Sequence, residues 1–138
     1  MQPLIVLLTL FVALIIPMGW WDALRFALAA MFLLTASAHW GKRRPDLIRM
    51  VPPKFPRPDR LVTITGLLEI LGVIGLVIPV VAPYAGACLA VLLVALFPAN
   101  VRAATHNLTI GGRPATPLLT RAVIQVVFLT ATLAVALR

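Results

Sequence analysis

Residues 61–79 read LVTITGLLEILGVIGLVIP. Apart from two threonines and one glutamate the stretch is apolar. As a helix rising 1.5 Å per residue it would span about 30 Å, close to the hydrocarbon thickness of a bilayer. In lipid such a segment has to be helical, because an open strand leaves backbone N–H and C=O groups without partners. Glu69 near its middle is the exception. A carboxylate there is costly, by about 2.5–3.5 kcal/mol on insertion scales, so something has to hold it.

The rest of the chain repeats the pattern. Of 138 residues, 62% are hydrophobic and only 12% are charged, whereas a soluble domain carries about 25% charged residues. Mean hydropathy is +1.05. These values point to a single integral membrane domain over residues 1–138. Its expected fold is all-α: a bundle with helices at about 3–21, 23–40, 61–80, 84–101 and 118–137. The first span lacks the basic flank of a cleaved signal, and Trp20-Trp21 suits no small-residue cleavage site, so it is expected to remain as a helix. Gly66, Gly72 and Gly75 on the third span, with Ala85, Gly86, Ala87 and Ala90 on the fourth, let two backbones approach closely.

Net charge is +8. A basic balance often marks a nucleic-acid binder, but here seven basic residues fall between residues 41 and 60, a loop between apolar spans. This pattern excludes nucleic acid as partner and marks a segment facing anionic headgroups. Lys42, Arg43, Arg44, Arg49, Lys54, Arg57, Arg60, Arg102, Arg113 and Arg121 lie on one side of the predicted bundle, and only Arg25 and Arg138 on the other. The split places loops 41–60 and 102–117 in the cytoplasm, the N-terminus with them, and the chain in a bacterial inner membrane as a multi-pass protein. In the first loop, residues 46–51 are a short amphipathic piece followed by four prolines, with Leu47, Ile48, Met50, Val51 and Phe55 suited to the headgroup layer. In the second, Gly111-Gly112 predicts a tight turn in a short hairpin. The single cysteine, Cys88, allows no internal disulfide and is expected to be a small buried packing residue.

Five polar residues fall in the cytoplasmic half of the predicted bundle: His39, Glu69, Asn100, Arg121 and Gln125. His39 and Asn100 end the second and fourth spans. Glu69 lies eight residues past Leu61 and Gln125 eight past Pro117, each about 12 Å along its helix. Arg121 is one turn before Gln125 on the same face. As the only basic residue near the level of Glu69, Arg121 is the expected partner of its carboxylate, assisted by Asn100 and Gln125. The five together are the candidate ligand-binding set. Each also has a plainer reading: Glu69–Arg121 as a clamp, His39 as a helix cap, Asn100 satisfying groups freed by Pro98, Arg121 reaching to the headgroups. No metal signature, phosphate loop or nucleophile motif occurs, and no cofactor is named by the sequence.

The segments SAHW (37–40), RMVPPKFPRPDRLVTITGLLEILGVIGLVIP (49–79), LLVALFPANV (92–101) and GGRPATPLLTRAVIQ (111–125) resemble the DoxX-like family of small bacterial membrane proteins. The resemblance runs over about residues 25–137, with Trp40 where that family often has phenylalanine. It implies four family helices, here with one additional N-terminal transmembrane helix, and an association with redox and respiratory systems. It carries over no established catalytic residue. His39, Glu69, Asn100 and Arg121 match as motif residues only.

The leading expectation is a membrane protein whose polar intramembrane pocket binds a quinone-like or lipid-like small molecule, in contact with the lipid bilayer and with a respiratory or redox protein partner. Three alternatives stay open: an enzyme on a lipophilic substrate with Glu69 or His39 as acid or base, a small proton-coupled transporter, and a structural assembly factor.

Overall fold

A computed structural model describes residues 1–138. The chain forms α1 (Gln2–Met18), α2 (Trp20–Ser37), α3 (Arg44–Met50), α4 (Pro58–Val77), α5 (Ala82–Thr105), β1 (Thr109–Ile110), β2 (Arg113–Pro114) and α6 (Leu118–Ala136). Three of the helices, α4, α5 and α6, are long and apolar enough to cross a membrane, while α1 is apolar but shorter.

The helix ends are set by local chemistry. Gly19 adopts φ 81° and separates α1 from α2, a conformation that costs glycine little. The expected first span of 3–21 therefore ends earlier, and Trp20 and Trp21 open α2 with Asp22 in its first turn, where a negative charge suits the helix dipole. Pro58 and Asp59 start α4, and the helix closes before Pro79. The expected fourth span stopped at residue 101, on the polarity of Arg102. The helix instead runs on to Thr105, because Ala103 is fully buried and the Arg102 guanidinium donates to the Arg49 carbonyl (3.1 Å). The expected hairpin is present: Gly111 and Gly112 both have positive φ, and Ile110 pairs with Arg113 across them, as a two-residue turn requires.

The chain packs in sequence order, α1 on α2, α2 on α4, α4 on α5 and α5 on α6, with α2 also touching α6. Leu28, Met31 and Phe32 of α2 meet Leu76 of α4, Leu89 of α5, and Phe128 and Val135 of α6 in one core. Small residues set the close crossings. A Cβ on Gly72 would lie 2.5 Å from the Leu89 side chain, one on Gly75 would lie 2.6 Å from Ala85 Cβ, and one on Gly86 would lie 2.7 Å from the Thr132 carbonyl. The outward faces remain apolar, with Leu71, Tyr84, Val91, Leu119 and Val126 all exposed. Such a continuous apolar exterior fits contact with lipid. Cys88 belongs to it: the thiol is exposed, on the outward stripe with Tyr84 and Val91 rather than on the inward one with Ala85, Leu89 and Leu92. The expectation that it is buried fails because periodicity in an all-apolar helix gives no inward phase.

Candidate functional site

The four-residue rise from Thr35 to His39 places both side chains at one end of α2, facing α4. The carbonyl of Thr35 lies 3.1 Å from His39 Nδ1. A carbonyl only accepts, so Nδ1 carries the hydrogen and Nε2 is turned outward from its own helix. It faces Glu69 Oε1 at 3.9 Å. The other carboxylate oxygen, Oε2, is 2.6 Å from Thr35 Oγ1, and that hydroxyl is also 2.9 Å from the Phe32 carbonyl. One hydroxyl hydrogen serves one of these acceptors at a time. When Thr35 donates to Phe32, the short contact is filled by a proton on Glu69 itself. When Glu69 is ionised, it accepts from Thr35. The geometry accommodates both states.

The expected Glu69–Arg121 pair does not form. The chain has two ion pairs, Arg25–Asp22 and Arg49–Asp46, and a His39–Glu69 contact that becomes a third only when the imidazole is protonated, and Arg121 is in none of them. Its Nη1 donates to Asn100 Oδ1 (2.7 Å) and its Nε to the Thr116 carbonyl (3.2 Å). Similar depth on two helices does not make a contact, because α4 packs on α2 and α5, and α6 packs chiefly on α5. Glu69 thus turns to α2, while Arg121 turns to α5. Asn100 accepts from Arg121 through its amide oxygen, and its amide nitrogen does not donate to a carbonyl freed by Pro98. Gln125, expected in the same cluster, donates to the Leu93 carbonyl (2.5 Å) and so ties α6 to α5.

His39, Glu69, Asn100 and Arg121 nonetheless meet, across space rather than in contact. All four line one cavity of about 850 Å³ at the basic end of the bundle, and Gln125 does not. Apolar walls come from Leu34, Leu61, Val62 and Leu96, and from the segment after α2. There Leu47, Met50, Val51 and Phe55 line the cavity. A family model described as "Domain of unknown function (DUF8561)" matches residues 28–136. The chain belongs to this family. No curated protein and no solved structure matches it. The DUF8561 region begins inside α2 and ends with α6, so it includes His39, Glu69, Asn100 and Arg121 and leaves out α1, whose Gln2 also lines the cavity, together with Asp22 and Arg25.

Within the DUF8561 region, the side chains that support the site were partly legible. Gly66, read as a close-approach residue, has its role here: a Cβ would lie 2.8 Å from His39 Cβ and 2.7 Å from the Trp40 ring, so only glycine lets the histidine reach α4. Thr35 and Arg44 were missed. Arg44 donates to the His39 carbonyl (2.7 Å), the Asp59 carbonyl (3.0 Å) and Thr63 Oγ1 (2.9 Å), stitching the end of α2 to the start of α4. The available signal for Thr35 was its place one turn before His39 in an otherwise apolar helix. Arg44 gave none, being one of a run of basic residues.

The hairpin closes over one side. Gly111 N–H donates to Asp46 Oδ2 (2.8 Å), Arg49 pairs with the other oxygen and also reaches the Thr109 carbonyl (3.3 Å), and Ile110 reaches the cavity. The Gly111 hydrogen bond, followed by those of Arg49, holds the Asp46 carboxyl below its ordinary range.

Proposed function

We propose that this DUF8561 protein is a multi-pass protein of the bacterial inner membrane that binds a lipophilic small molecule with a polar head, quinone-like or lipid-like, in the cavity between α2, α4, α5 and α6. The observation that carries the reading is the convergence of His39, Glu69, Asn100 and Arg121 on one mostly apolar space of about 850 Å³. A few placed polar groups in an apolar cavity of some hundreds of Å³ is the usual form of a small-molecule site. In this reading α1, α2, α4, α5 and α6 all cross the bilayer, residues 1–138 are one domain, and α1 is an addition to a four-helix bundle. The N-terminus and the basic loops are cytoplasmic, from the ten-to-two distribution of Lys and Arg. The likeness to DoxX-like proteins adds a role as membrane partner of a redox system.

Native mass spectrometry of protein extracted gently with its lipids tests this. A lipophile with a polar head should co-purify reproducibly and be lost from the Glu69→Leu, Arg121→Leu double variant. Protein that emerges bare, and stays bare when offered quinones and lipids, would refute it. The shared hydrogen of Thr35 and Glu69, with His39 Nε2 beside it, favours one second reading, proton-linked movement of the same ligand. Glu69→Gln separates the two: in reconstituted vesicles it stops proton-linked movement while leaving a bound ligand in place.

A further inference from the structure

The charges around the cavity do not balance. Lys42, Arg43 and Arg121 line it, and Glu69 is the one carboxylate that does. Glu69 is turned to Thr35 and His39, and Lys42, Arg43 and Arg121 are in no ion pair. Arg121 is the informative member. It lies within α6, half-buried, and its only side-chain partner is the neutral amide of Asn100. A guanidinium in an apolar setting normally stands with a carboxylate or phosphate, which it binds with its planar fork. Here that place is open to the cavity. Arg121 Nη2 makes no hydrogen bond within the chain, and because Asn100 Oδ1 faces Arg121, its Nδ2 is left as a second free donor at the same wall. Neither of these donors is bonded to a group of the chain, and the charged side chains that line the cavity sum to a positive charge. Leu34, Met50, Phe55 and Leu96 supply the apolar surface beside them.

We infer that the ligand is an anionic amphiphile, whose carboxylate or phosphate head is bound by Arg121 and Asn100 while its aliphatic chain lies along the apolar wall and Lys42 and Arg43 guide its entry. This rests on the cavity being a ligand site, as proposed above, and narrows it to one charge class. Arg121 is the binding residue, and Asn100 both positions it and donates to the head.

The test uses the full chain in a neutral detergent and four probes read by native mass spectrometry titration: oleate, dioleoyl phosphatidate, monoolein and decylubiquinone. One or both anionic probes should bind about tenfold more tightly than monoolein, the gain expected of one charge-assisted contact. Oleate against phosphatidate distinguishes a fatty-acid head from a phospholipid head. The preference should weaken with added salt and disappear in Arg121→Gln. Asn100→Asp is the second variant, chosen because it neutralises Arg121 in place and preserves side-chain volume. It should keep the fold and lose the preference for anions. Monoolein or decylubiquinone binding as tightly as both anions, or an anion preference that persists in Asn100→Asp, would overturn the inference while leaving the cavity a ligand site. Failure of all four probes would overturn both.

Discussion

Arg25 and Arg121 are both arginines set in largely apolar helices, at opposite ends of the bundle, and the structure uses them in opposite ways. Arg25 is 8% exposed. Its Nε donates to the Leu76 carbonyl (2.9 Å), Nη2 to the Val77 carbonyl (3.0 Å) and Nη1 to Asp22 (2.9 Å). It thereby satisfies the last carbonyls of α4, which have no partner inside their own helix, and places a positive charge at the negative end of that helix. Every arm of the guanidinium is occupied. Arg121 is half-buried, bonded to one amide and one backbone carbonyl with Nη2 unused, and open to a cavity. Arg25 is the interhelical clamp that the sequence assigned to Arg121 and Glu69. A charged residue in an apolar helix is thus structural when its partners are built in, and free to act as a binding group, as proposed for Arg121, when one side of it is left open.

The largest expected effect separates the two directly. Arg25→Leu removes the donors of two helix-end carbonyls and the partner of Asp22, and should cost about 3 kcal/mol. Arg121→Leu, which gives up one amide and one carbonyl contact beside open space, should cost about 1 kcal/mol. Equilibrium unfolding in mixed micelles measures both, and equal losses would erase the distinction between the two ends.

A smaller effect comes from the glycines of α4. Gly72→Leu forces a side chain into Leu89, and overpacking of this kind costs about 1–3 kcal/mol. Gly66→Ala meets His39 and Trp40 instead, so it should cost about 1 kcal/mol and also reduce retention of the co-purifying ligand, which Gly72→Leu in micelles where it remains folded should not. Thermal stability and ligand retention on the same samples check this. Loss of ligand in both variants would mean that the two ends of α4 are not separable.

The smallest expected effect is at the hairpin. Asp46 has its carboxyl held below the ordinary value of 3.8, first by the Gly111 N–H. Its contribution is therefore complete above about pH 4 and is lost as the pH falls through the lower folded-state value. Hydrogen exchange at the Gly111 amide should be slow near neutral pH and, after correction for intrinsic rates, lose protection under acid. Asp46→Asn should show the loosened hairpin at neutral pH, with little change in global stability. A protected Gly111 in that variant would leave the hairpin held by β1–β2 pairing alone.

Much of the architecture was legible in residues 61–79 and their counterparts. Apolar runs of bilayer length are helices because lipid offers the backbone no partners, and proline and glycine at residues 17–19, 58, 79 and 111–112 mark where they stop. The sequence also brought His39, Glu69, Asn100 and Arg121 to one half of the bundle, since depth along a helix is residue number times rise. It did not determine azimuth. In a soluble helix the polar face points outward and fixes the rotation, whereas in α4 and α5 both faces are apolar, and nothing in the pattern says which way Glu69 or Cys88 turns. Only the packing order of the helices decided that Glu69 meets Thr35 and His39, that Gln125 turns to Leu93, that Cys88 faces outward, and that Arg25 rather than Arg121 is enclosed. Those outcomes depend on which helices are neighbours, and on glycines at 66, 72, 75 and 86 that let them approach, so they are properties of the assembled bundle and of no single segment.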